Sequence, residues 1–151
     1  MTINPFDLKS ALLAKHAQHV VLVHFPIALF ISSVLFDLLA IWKGSRSLSK
    51  AAYYNLIGAA ITALVAVITG VLAWQLQLDG ERLRGNLRLH LGLGTSAAIL
   101  IWTLAWWRIR QERADNISLT AGYWALAFIA VLVVALTGHL GGILSGVEVP
   151  N

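Results

Sequence analysis

Five histidines, His16, His19, His24, His90 and His139, are the residues of this chain whose type and spacing could do chemistry. An imidazole can ligate a metal through one ring nitrogen while the other donates a hydrogen bond that fixes tautomer and ring angle. Cysteine is absent, which excludes disulfides, thiolate ligands, iron–sulfur ligation and the covalent attachment of a c-type haem. A metal or haem must therefore be held non-covalently by nitrogen or oxygen ligands. No Ser-His-Asp order, phosphate-binding glycine loop or H-E-x-x-H occurs, so hydrolytic and nucleotide-dependent chemistry have no visible basis.

The elements that must position these histidines are membrane spans. Of the 151 residues, 58% are hydrophobic and 12% charged, far from the balance of a soluble domain. Four apolar runs, 20–42, 53–74, 89–107 and 119–144, each meet the roughly 20 residues that a helix needs to cross a hydrocarbon core. They predict one integral membrane domain over 1–151, an all-α, up-down-up-down four-helix bundle. Asn4-Pro5 followed by Phe6, Leu8, Leu12 and Leu13 predicts a short amphipathic helix in the interface plane ahead of the first span. The polar start lacks the features of a cleavable signal, so the first span is expected to be retained.

Connections over Lys43–Ala52, Gln75–Arg88 and Arg108–Ser118 are short. Six basic residues (Lys43, Arg46, Lys50, Arg108, Arg110, Arg113) sit at the loop end, after the first and third runs. Five (Lys9, Lys15, Arg82, Arg84, Arg88) sit with the termini. That bias places the loop end in the cytoplasm and both termini outside, in the periplasm of a bacterial inner membrane. Trp42, Tyr53, Tyr54, Trp106, Trp107, Tyr123 and Trp124 are expected to form an interfacial belt at the loop end. The net charge of +4 is assigned to loops and lipid headgroups and not to nucleic acid.

All five histidines map to the terminus end. Counting from the centres of their runs, His24, His90 and His139 share a depth of roughly 12 Å from the midplane. Intramembrane ionisable residues default to function, so these three are expected to converge on one site. Interfacial histidines that snorkel, or bond to a neighbouring helix, are the plain alternative. His19 lies nearer the surface and about 140° around the helix from His24, which predicts a supporting or solvent-facing role. His16 is placed in the interfacial helix. Glycines concentrate at the histidine level: Gly70, Gly92, Gly94, Gly138, Gly141 and Gly142. They provide either close helix packing or room for a macrocycle, with Gly70 and Gly138 as candidate lining residues. Pro26 either frees the Leu22 carbonyl and bends the helix or is an early helical residue. Asp37 is expected to pair with Arg108 or a loop lysine in preference to serving a proton path. Asp79 and Glu81 read as a solvated turn.

Three motifs carry a resemblance over essentially the whole chain: His19-x4-His24-Phe25-Pro26, Arg88-x-His90, and Gly138-His139-Leu140-Gly141-Gly142. On them the sequence resembles the small bacterial membrane proteins grouped as domain of unknown function 2231. The resemblance implies a four-helix membrane domain. Some relatives are joined to cytochrome-type modules outside the membrane, which implies an external C-terminus and an electron-transfer setting. Val20 departs from the proline frequent after the first histidine. Ser145–Glu148 replaces a stretch where many members carry a further histidine, which argues against a two-site arrangement.

Three functions follow as expectations. The first is a membrane-embedded b-type haem protein in electron transfer, with two of His24, His90 and His139 as axial ligands and a cytochrome or quinol as partner. The second is a copper or zinc site in which all three bind one ion. The third is a structural subunit of a larger membrane complex, whose histidines only hydrogen-bond and whose glycines pack against a partner complex. An oligomer of the chain is compatible with all three.

Overall fold

The computed structural model describes residues 15–77, 83–113 and 119–145. Four helices run through them: α1 Lys15–Lys43, α2 Arg46–Gln77, α3 Gly85–Arg113 and α4 Ala121–Leu144. Each is long and apolar enough to cross a membrane. The four-helix all-α architecture expected from the sequence is thus in place. The expected interfacial helix over 5–13 and the turn carrying Asp79 and Glu81 lie outside the described residues.

The chain makes two hairpins. α1 packs most extensively on α2, α3 packs on α4, α2 joins the hairpins through α3, and α1 touches α4 sparingly. Between α1 and α2 only Gly44 and Ser45 are non-helical, a much shorter link than the expected 43–52. Gly44 adopts φ 60°, and the Ser45 N–H bonds to the Ala40 carbonyl at 3.0 Å while the Gly44 N–H bonds to Ile41 at 3.4 Å. This is the paired ending that a left-handed glycine permits. The Ser45 hydroxyl then accepts from the Leu48 N–H at 3.4 Å and starts α2 at once. Thr120 caps α4 in the same manner, its hydroxyl accepting from the Tyr123 N–H at 3.3 Å.

Buried residues recur at intervals of three and four. The inward stripe is Pro26, Phe30, Ser33, Asp37 and Ala40 on α1, and Ala97, Ile101, Leu104, Arg108 and Gln111 on α3. On α4 it is Tyr123, Ala127, Ala130 and Val134. A period near 3.5 is that of left-handed helix packing. The buried face of α2 is almost wholly alanine: Ala52, Ala59, Ala60, Ala63 and Ala73. In lipid there is no hydrophobic drive between helices, so small residues that let backbones approach supply the contact. Large side chains such as Val21, Leu38, Ile61, Ile99 and Phe128 point outward, as lipid-facing residues must. Pro26 lies inside α1, well past its first turn, so it is not an early helical residue.

Near the loop end a polar network ties all four helices. Arg108 of α3 pairs with Asp37 of α1 at 3.0 Å, both about 2% exposed. The same guanidinium nitrogen donates to the Ser49 hydroxyl of α2 at 2.8 Å and to the Ser49 carbonyl at 3.2 Å. The Tyr123 hydroxyl of α4 donates to the other Asp37 oxygen at 3.3 Å. The expected pairing of Asp37 with Arg108 is therefore observed. Tyr123 departs from its expected place in the interfacial belt: it is 2% exposed, because its hydroxyl has an internal acceptor. Trp42, Tyr54 and Trp106 are exposed as a belt requires.

Candidate functional site

At the opposite end, α1 and α3 begin where α2 and α4 finish, and a histidine from each hairpin turns inward. His19 of α1 and His90 of α3 are half-buried. Their ring centres are 6.5 Å apart and their planes nearly perpendicular, at 84°. They approach along the diagonal of the bundle, each held by the other helix of its own hairpin.

The holding interactions are alike in the two hairpins. His19 Nδ1 lies 3.1 Å from the Thr69 hydroxyl of α2. That hydroxyl donates its own hydrogen to the Val65 and Ala66 carbonyls, each at 3.0 Å, so it accepts from Nδ1–H. His90 Nδ1 lies 3.1 Å from the Thr137 carbonyl of α4, which can only accept. Both imidazoles, when neutral, therefore carry hydrogen on Nδ1 and the lone pair on Nε2. This is the tautomer of a ligand whose orientation is fixed from behind.

Glycine makes both approaches feasible. A Cβ at Gly70 would sit 3.0 Å from His19 Cε1, and one at Gly141 would sit 3.2 Å from His90 Cε1. Each ring thus lies so close to helix backbone that a methyl there would make it give way. The sequence repeats the device, with Thr69-Gly70 on α2 and Thr137-Gly138 on α4. In the second hairpin, however, Gly141 carries the ring and Gly138 does not.

The expected set of His24, His90 and His139 is corrected accordingly. His24 is exposed, and its Nδ1–H donates to the Val20 carbonyl of its own helix at 2.6 Å. His139 is also exposed. The helical phase is the cause. His24 lies two residues before buried Pro26, about 200° around the helix, whereas His19 lies seven before it, about 20° off. On α4, Gly141 lies seven residues beyond buried Val134 and His139 five, about 140° away. Depth placed three histidines in one layer, but azimuth turns two of them outward. Among the described residues no three His, Asp or Glu side chains are grouped as a metal ion would need, so the expected three-histidine copper or zinc cluster is not assembled. Gly70 keeps its expected place beside a histidine, although that histidine is His19. A Cβ at Gly138 or Gly92 would meet nothing within 4 Å. His16, expected in an interfacial helix, belongs by its backbone to the first turn of α1.

Two nitrogen donors suit haem iron, since a porphyrin supplies four in-plane nitrogens and asks the protein for one or two axial ligands. Zinc in a protein site takes about four ligands, three of them side chains even when one position is left open. Two imidazoles on opposite sides of one metal, at about 2 Å per bond, have ring centres about 6 Å apart. The observed 6.5 Å is of that order, a span common to any single metal between two imidazoles, and it is the count of two donors that fits haem better than a bare ion.

A family model described as predicted membrane protein (DUF2231) matches residues 15–148. No curated protein and no solved structure matches the chain.

Proposed function

The chain belongs to the DUF2231 family of predicted membrane proteins, and we propose that it is a b-type haem protein of electron transfer, in which His19 and His90 would hold the haem. The observation that carries the reading is the close pair itself: two imidazoles of one tautomer, from separate hairpins, with ring centres 6.5 Å apart. Bound haem supplies one-electron chemistry between ferric and ferrous iron. The protein's part is to hold both Nε2 lone pairs in place through Thr69 and the Thr137 carbonyl. Gly70 and Gly141 let the rings sit low on the neighbouring helices. The sparse α1–α4 seam is the side on which a planar macrocycle can enter between the hairpins.

Within this proposal the basic bias puts the loop end in the cytoplasm of a bacterial inner membrane and the haem near the periplasmic face. A cytochrome outside the membrane or a quinol within it is then the electron partner.

The test is the visible spectrum of the protein made with ample haem, together with single alanine variants at four histidines. The wild type, His24→Ala and His139→Ala should show a Soret band with sharp reduced bands, and His19→Ala and His90→Ala should lose or broaden them. A colourless protein that retains one copper or zinc through His19 and His90 would overturn haem in favour of an ion site. A protein holding neither would point to a structural subunit.

A further inference from the structure

The flank of α3 at the loop end carries a groove that is independent of the histidine pair. It measures about 340 Å³ and is lined by Thr103, Trp106, Trp107 and Arg110. Positions three, four and seven apart share one helix face. Thr103 and Arg110 are seven residues apart, so the groove follows the helix axis for about 10 Å. Trp107 is fixed from behind: a Cβ at Gly122 of α4 would sit 3.2 Å from its ring, and the Tyr123 ring stands nearly perpendicular to it at 6.4 Å. Trp106 is 58% exposed and forms the outer wall.

One end of the groove is charged and the rest is apolar. The Arg110 guanidinium stands over the Trp106 ring, 4.1 Å from its centre. A guanidinium stacked on an aromatic ring keeps the N–H donors around its edge, in the planar fork that matches phosphate oxygens. Among the described residues no carboxylate pairs with Arg110 and no acceptor takes its donors. At the other end the Thr103 hydroxyl donates to the Ile99 carbonyl of its own helix at 2.8 Å, so it asks nothing of an occupant.

This polarity selects the ligand. The lining has a cation and no anion, at the end of the bundle where Trp42, 78% exposed, also carries the Lys43 ammonium 5.7 Å from its ring centre. Aromatic and basic residues together mark headgroup depth. A phosphate on Arg110 would stand at that level, and the wall from there towards Thr103 spans about two-thirds of the roughly 15 Å of hydrocarbon in one leaflet. Free phosphate would leave that wall unused. A choline headgroup would bring a second cation to the one already on Trp106, so a lipid of net negative charge fits better than a zwitterionic one.

We propose that this groove binds one anionic phospholipid, with its phosphate on the Arg110 guanidinium and an acyl chain laid along Trp106 and Trp107 towards Thr103. Native mass spectrometry of the full-length protein released from detergent tests it. The probes are phosphatidylglycerol, phosphatidylcholine of the same acyl chains, and inorganic phosphate. One phosphatidylglycerol should stay on each wild-type chain in preference to phosphatidylcholine. Arg110→Gln should weaken that binding about tenfold or more, and Trp106→Leu, which removes the stack, about threefold. Lys50→Gln removes an equal charge from an exposed position of α2 outside the groove and should change it less than about twofold. Arg110 and Trp106 are exposed, so their replacement leaves the fold standing, which an unchanged melting curve verifies. Equal retention by wild type and Arg110→Gln, equal losses in Arg110→Gln and Lys50→Gln, or displacement of the lipid by millimolar inorganic phosphate would overturn the proposal.

Discussion

Replacing Arg108 with methionine should cost this fold several kcal/mol, about what is expected when one partner of a buried ion pair is removed. The substitution keeps length and apolar volume but removes the 3.0 Å ion pair to Asp37 and both bonds to Ser49. Among the described residues, Asp37, about 2% exposed, is then left with only the Tyr123 hydroxyl at 3.3 Å as a polar side-chain partner. Breaking a buried pair from one side costs about 3–5 kcal/mol, because a charge remains without compensation. That is a factor of roughly 150 to 5,000 in the folding equilibrium. Removing the carboxylate as well, in Asp37→Leu/Arg108→Met, should recover most of the loss. What then remains is about 1–3 kcal/mol from a Tyr123 hydroxyl without an acceptor. Adding Tyr123→Phe should bring the triple variant close to wild type. Denaturant titration in mixed micelles, followed by tryptophan fluorescence, reads all three steps. A loss below about 1 kcal/mol for Arg108→Met, or a double variant no better than the single, would mean that the buried pair is not what holds the loop end.

Two further predictions concern the histidine end. Gly70→Ala and Gly141→Ala place a methyl 3.0 Å and 3.2 Å from an imidazole carbon. Each should weaken haem retention at least tenfold in a transfer assay to apomyoglobin, whereas Gly138→Ala, with open space around it, should not. Thr69→Val removes the acceptor behind His19 Nδ1 and should cost about 10–100-fold in affinity, the range for partners that orient a metal-bound histidine. An unchanged melting temperature of the apoprotein would show that the effect is local.

The helix count, the hairpin order and the Asp37–Arg108 pair were legible in the sequence, because each follows from run length, loop length or the cost of an unpaired charge in lipid. The choice of histidines was not legible from depth, which ranks residues along a helix axis and says nothing of the face. The missing information was present in the polar residues. Ser33 of α1 and Gln111 of α3 face inward, and steps of seven from them lead back through Pro26 to His19 and through Leu104 and Ala97 to His90. On α4 the same step carries Val134 to Gly141. Taking the intramembrane polar residues as the marker of the inner face and extending them by heptads selects the pair that meets. The repeated Thr-Gly on α2 and α4 was a second signal. Why Gly141 and not Gly138 carries His90 depends on interhelical geometry, which one helix's pattern does not contain. Tyr123 was assigned to the interfacial belt by its position near a span end, and only the cross-bundle carboxylate explains its burial.

Whether His19 and His90 are the ligands is decided by imidazole rescue. His19→Gly and His90→Gly each remove a ring and leave a gap against Gly70 or Gly141 that free imidazole can fill. Each variant, made with ample haem, should lose the low-spin spectrum of the wild type and regain it on addition of millimolar imidazole, while His24→Gly and His139→Gly should keep it throughout. A wild-type spectrum that persists in His19→Gly or His90→Gly without imidazole, or that vanishes in His24→Gly, would contradict the assignment.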